Sequence, residues 1–124
     1  YAIQYNDNRG DHMDSQIYQN YKTELRRGTQ ILIVLSQLDK QEYGYSLLQK
    51  MIDQGVSIEA GTLYPLMRRL ESQGLLESEW DTSESRPRKY YKLSKEGHEL
   101  YGYLTQEWSD IVNEVNTLIG GNVK

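Results

Sequence analysis

Two short stretches hold the residues best suited to chemistry. The first is "GTLYPLMRRLESQGLLE", Gly61 to Glu77, and the second is "RPRKYYK", Arg86 to Lys92. At 100° per residue, Leu63, Leu66, Met67 and Leu70 of the first stretch share one apolar arc that must face a core. Gly61, Pro65, Arg68 and Ser72 lie opposite, with Thr62 and Arg69 on one flank and Tyr64 on the other. A proline deep in a helix costs about 3 kcal/mol, because it lacks an N–H and clashes with the preceding turn. In the first turn that N–H would have no partner anyway. Pro65 therefore predicts a helix starting near Thr62, with Thr62 as its N-cap. The residue before a proline is biased away from helical angles, which leaves that boundary open by a turn. Such a start suits an anion. Gly61 and Pro65 add little bulk, and first-turn N–H groups and the helix dipole favour phosphate. Thr62 and Tyr64 bring hydroxyls, and Arg68 projects where a phosphate or base edge would lie. The plainer alternative is a surface helix in which Arg68 or Arg69 pairs with Glu71 or Glu77.

The second stretch has four basic residues and no acidic one, with Pro87 stiffening the turn into the second strand. A charge run by itself is usually a solvated face. Directly after a helix of the first kind, Arg86, Arg88 and Lys89 read as a second contact to DNA. Catalysis finds no support. His98 falls in the first turn of the last helix with no nucleophile or carboxylate pair arranged for catalysis, no Gly-rich phosphate loop occurs, and no His/Asp/Glu cluster has metal spacing. The expectation is a non-enzyme without catalytic residues, metal or cofactor.

The elements that position these residues follow from periodicity. From Asp14 to Leu38, Tyr18, Tyr21, Leu25, Gly28, Leu32 and Leu35 alternate spacings of three and four, which predicts one helix. "YSLLQKMIDQG" predicts a short helix burying Leu47, Leu48, Met51 and Ile52 and stopping at Gly55. Gly74 ends the third helix. "LLESEW" and "RKYYKL" then predict two strands joined by the loop "DTSESRP", with Tyr91 and Leu93 facing the core and Lys89 sharing their parity. Ser94 is an N-cap for a last helix running to Gly120 or Gly121, roughly 40 Å long. The fold class is mostly α with a small β-hairpin: a winged helix-turn-helix plus a long C-terminal helix. The boundaries are 13–93 for the winged unit with its N-terminal helix and 94–121 for the dimerisation helix. Residues 1–12, whose last three, "GDH", stand directly ahead of Met13, read as a vector-derived or disordered extension.

Along the last helix, Tyr101, Leu104, Trp108, Ile111, Val115 and Leu118 form a heptad seam, and Val112 and Ile119 add a second apolar strip. A helix of this length cannot bury both strips against so small a domain. The expected partner is a second copy, including its N-terminal helix, where Ile17, Tyr18 and Tyr21 offer apolar surface. Two winged helices on one dimer would read half-sites about one DNA turn apart.

The bulk composition sets limits on these readings. The 124 residues suit one modest domain; 37% hydrophobic and 26% charged residues suit a globular chain. Cysteine is absent, and neither a bilayer-spanning run nor a signal peptide is evident, so the expected compartment is the cytoplasm and no membrane contact is expected. The net charge of −4 does not exclude DNA, because screening confines each patch to about 8–10 Å.

"GTLYPLMRRLESQGLLESEW" followed by "SRPRKYYKLSKEGHEL" resembles the PadR family of bacterial transcriptional regulators. "LRRGTQILIVL" and "YGYSLLQKM" resemble that family's first two helices, so the likeness covers roughly Leu25 to Trp108. It implies a homodimeric winged-helix repressor on an inverted-repeat operator, dimerised through its C-terminal helix. By position, Gly61, Thr62, Tyr64 and Pro65 match the start of the recognition helix, and Arg86, Arg88 and Lys89 match the wing. Ser85 departs from the glycine common at the wing tip, and the single C-terminal helix resembles the short-tailed branch. Trp108 sits where some relatives line an inter-subunit cavity, which implies release by a small aromatic or apolar effector. The competing reading is a winged-helix protein-interaction module that does not bind DNA.

Overall fold

The computed structural model describes residues 13–40 and 42–120, so the reading of 1–12 lies outside the described residues. Five helices and three strands follow in order: α1 (Ser15–Arg27), α2 (Gln30–Gln37), β1 (Glu42–Tyr43), α3 (Gly44–Asp53), α4 (Ala60–Ser72), β2 (Leu76–Asp81), β3 (Arg88–Leu93) and α5 (Lys95–Gly120). The fold class expected from sequence is the one observed, with three corrections. The single helix over 14–38 is two. Asp14 caps α1 by accepting from the Gln16 and Ile17 amides, and the chain turns at Gly28 and Thr29. There the Thr29 amide and hydroxyl both donate to the Arg26 carbonyl, at 3.1 and 2.8 Å, and end the helical ladder. The sheet has a third strand, β1, two residues long and paired antiparallel to β3 through Glu42–Tyr91 and Tyr43–Tyr90. The third correction concerns α4, which begins at Ala60 rather than Thr62, after Glu59 in extended conformation.

That start makes Pro65 the sixth residue of α4 rather than a first-turn residue. It has no N–H to give the Gly61 carbonyl. Both residues are exposed, so water can take that carbonyl, and the helix continues through the proline to Ser72. Leu63, Met67 and Leu70 are buried on the opposite face, and their burial holds the helix through the imperfection.

By their contacts, 30–105 form one unit, while the described residues 13–29 and 106–120 fall in another. In the 30–105 unit the core gathers Val34, Leu35 and Leu38 with Leu47, Met51, Leu63, Met67, Leu70, Leu76 and Leu93. Ile52 does not join it and is 48% exposed, because α3 buries only the stripe through Leu47 and Met51. Gly55 and Gly74 take φ of +83° and +77°, the left-handed turn that ends α3 and α4. In the other unit, α1 buries no residue, and Ile17, Tyr21 and Leu25 are exposed. No helix among the described residues is long and apolar enough to cross a membrane.

The sheet is anchored at both ends. At the inner end, the Ser94 amide donates to the Leu75 carbonyl, and its hydroxyl donates to the Gly74 carbonyl and accepts from the Gly97 amide. Gly97 lies so close that a Cβ would stand 2.1 Å from the Leu75 oxygen. At the outer end, the Tyr43 hydroxyl donates to Asp81 at 2.6 Å, joining β1 to β2 across β3. The Ser83 hydroxyl, the Tyr43 hydroxyl and the Ser83 amide, in that order, hold the Asp81 carboxyl at about 2.

Two outcomes are expected. Gly97→Ala should lower the urea midpoint by a loss of about 1–3 kcal/mol, since the methyl meets backbone that cannot rotate away. Asp81 has a depressed folded-state pKa, so its contribution is complete above the ordinary carboxylate range and lost as pH falls through about 2. Tyr43→Phe removes one donor to the charged form and should move the Asp81 midpoint upward in an NMR carboxyl titration.

Candidate functional site

α4 exposes Gly61, Thr62, Pro65, Arg68 and Arg69, and a Cβ on Gly61 would meet nothing within 4 Å. The alternative in which these arginines pair with Glu71 or Glu77 does not form. Glu71 accepts from the Ser78 hydroxyl and lies 3.5 Å from Lys89 Nζ, and Glu77 lies 3.9 Å from Lys92 Nζ. The β2–β3 hairpin thus brings its own lysines to the nearby acids. Arg68 and Arg69 are left without an ion-pair partner among the described residues.

Tyr64 behaves differently from its neighbours. It is half-buried, packs against the core, and forms one side of an open groove of about 630 Å³. Gly44 and Tyr45 from the start of α3, Trp80 from β2, Glu84, Arg86 and Pro87 of the loop, and Arg88, Lys89 and Tyr91 of β3 supply the rest. The structure therefore brings the α4 tyrosine and all three wing cations to one groove.

Those cations are not equivalent. Arg86 is exposed and has no ion-pair partner among the described residues. Lys89 is one-third exposed, placed between Glu71 and the Tyr91 ring, whose centroid is 5.3 Å from its Nζ. Arg88 is built into the fold. Its Cζ lies 4.7 Å from the Tyr43 ring centroid and 5.9 Å from that of Tyr45. Nη1 donates to the Tyr45 hydroxyl at 2.9 Å, Nη2 stands 3.3 Å from Glu84 Oε1, and Nε is buried without a hydrogen-bond partner. Desolvation opposes the charge, but the Tyr45 bond and the Glu84 carboxylate outweigh it, so the guanidinium pKa stands above its ordinary value.

Sequence reasoning missed Tyr43, Tyr45, Trp80 and Glu84. Trp80 could have been found by counting hairpin register, since it pairs with Lys89 and is 63% exposed. The two tyrosines meet Arg88 from more than forty residues away and leave no local signal.

On α5, Tyr101 and Leu104 are half-buried and pack partly on the core of their own unit. Further along, Trp108, Ile111, Val115, Leu118 and Ile119 are exposed, from 42% at Ile111 to 84% at Leu118.

The comparisons with known proteins agree on one family. Residues 31–103 match the transcriptional regulator PadR-like family. A crystal structure of a PadR family transcriptional regulator from Eggerthella lenta is similar at 48% identity and a TM-score of 0.80, over 86% of this chain and 96% of that one. A PadR-like transcription factor from Bacteroides fragilis matches at 35% identity and a TM-score of 0.65, over 80% of this chain and 98% of its own. A transcriptional regulator of Mycobacterium tuberculosis is 29% identical over 96 residues, 77% of this chain and 87% of its length. With more than half of its length inside the family pattern and the winged helix in place, this chain belongs to the PadR-like family of transcriptional regulators.

Proposed function

We propose that this regulator binds duplex DNA as a homodimer and represses transcription from an inverted-repeat operator. The observation that carries the reading is the pair of free arginines, Arg68 on α4 and Arg86 on the wing. In a chain of net charge −4, acids are plentiful, yet neither arginine has one among the described residues. Exposed unpaired guanidinium groups suit phosphate oxygens and guanine edges. Gly61 and Pro65 keep the α4 face low, Thr62 and Tyr64 bring hydroxyls, and Arg88 and Lys89 extend the cationic surface along the groove.

The dimer follows from the exposed seam. Trp108, Ile111, Val115 and Leu118 recur on one strip of α5, and a second copy would remove it from water. Tyr101 and Leu104 continue that strip into the winged unit, so they would join the interface where they are not already covered. Two Trp108 rings meeting across the seam would offer a flat apolar surface to a small aromatic effector that changes the angle between the reading heads.

Arg68→Ala and Arg86→Ala should each weaken binding to the protein's own upstream duplex and reduce the slope of log K against log salt by about 0.9. Fluorescence anisotropy across a salt series measures both. Binding there no tighter than to a scrambled duplex would count against sequence-specific regulation. Replacing Ile111 and Val115 together by Glu should convert a dimer to a monomer in sedimentation velocity, with more than about tenfold loss of duplex affinity as one half-site grip is lost. Wild-type protein that sediments as a monomer at micromolar concentration would refute the dimer.

A further inference from the structure

Glu84 is placed where a phosphate would bind. A guanidinium presents its Nε–H and Nη2 donors along one edge, spaced for two oxygens of a carboxylate or phosphate. At Arg88 that edge is half used. Glu84 Oε1 stands 3.3 Å from Nη2, and Nε has no partner although it is buried. The other end of the guanidinium is committed, with Nη1 bonded to the Tyr45 hydroxyl and the plane lying against the Tyr43 ring. The group is thus held in fixed orientation with one edge under-satisfied, and Arg88 and Glu84 both line the groove beside Trp80 and Arg86. The Glu84 side chain is 66% exposed and its ion pair is long, so it is a weakly held occupant.

We propose that the Nε/Nη2 edge of Arg88 is a seat for a backbone phosphate of duplex DNA, and that Glu84 occupies it in the free protein as an anionic placeholder. The inference rests on the DNA-binding reading and adds to it an autoinhibitory charge. On binding, the phosphodiester takes both donors and the Glu84 carboxylate swings out to solvent. Because Arg88 stays charged and oriented throughout, the wing has no rearrangement to make other than this exchange. Charge complementarity selects the occupant: the groove has three cations, and its one acid is the group to be displaced.

The test is a double-mutant cycle on a mixed-sequence duplex, measured by anisotropy at low salt. Glu84→Gln should tighten binding about threefold or more, since a carboxylate no longer competes with phosphate for the edge. Misfolding cannot produce a gain, and the substituted side chain is exposed. In an Arg88→Gln background the same change should give no gain, because the seat is gone. Unchanged or weaker binding by Glu84→Gln overturns the proposal. So does a gain that persists without Arg88, which would reduce Glu84 to general repulsion. If Arg88→Gln unseats the wing, seen as a lowered melting temperature, Arg88→Lys replaces it in the cycle, keeping the charge but losing the two-donor edge. Wild-type protein that binds no duplex at all would instead refute the DNA-binding reading itself, a distinct result from a bound wild type indifferent to Glu84.

Discussion

One serine hydroxyl ties three elements of the winged unit together. Ser94 Oγ donates to the carbonyl that ends the α4 turn and accepts from the amide that opens α5, while its own amide holds Leu75 at the root of β2. These are groups that helix ends otherwise leave without partners, and burial would make that costly. The price of so close an approach is that residue 97 can have no side chain, since the Leu75 carbonyl occupies the space. Everything that faces solvent on α4 and along the hairpin is oriented from this junction, because α4 leaves it in one direction and the two strands in another.

Charge in this chain is arranged by satisfaction more than by composition. The hairpin lysines settle on Glu71 and Glu77, Lys50 settles on Glu42, and Arg88 is shared among two tyrosines and Glu84. Within α4 and the hairpin, the cations left without an ion pair are Arg68, Arg69 and Arg86. In surface pairs each interaction contributes little to stability, so their main effect is on which cations stay available. An acidic protein can in this way keep unpaired positive charge on a chosen surface, here the outer face of α4 and the wing tip.

The parts of the fold that local periodicity encodes were legible, and the parts set by distant partners were not. The Leu63–Met67–Leu70 stripe, the turns at Gly55 and Gly74, the hairpin and the Ser94 cap could all be read from neighbours in sequence. The break at Gly28–Thr29 could not, because the apolar spacing runs through it unbroken; a threonine hydroxyl turning back to Arg26 ends the helix without disturbing the pattern. β1 is two residues long and exists only because β3 lies beside it. Pro65 misled for a related reason. The proline rule assumes the local cost decides the helix boundary, whereas here three buried residues on the opposite face outweigh it. Within the candidate site, residue types on α4 and the wing were readable, but the division of labour among Arg86, Lys89 and Arg88 depends on tyrosines that no spacing rule connects to them.

Arg88 shows why that division matters. A wing that must be rigid and cationic makes conflicting demands on its arginines, since a side chain packed on aromatic rings is ordered but no longer free to reach a ligand. Arg88 meets both demands by using different faces and edges: its plane and Nη1 are spent on Tyr43 and Tyr45, which also anchor β1 and the first turn of α3, and one edge is left over. Arg86, one residue beyond Ser85 and separated from Arg88 by Pro87, keeps its full freedom and adds no rigidity. Ordering a guanidinium in advance removes the entropy a flexible side chain would lose on contact. On the proposed DNA surface the braced arginine would fix where a phosphate can sit, and the free one would adapt around it.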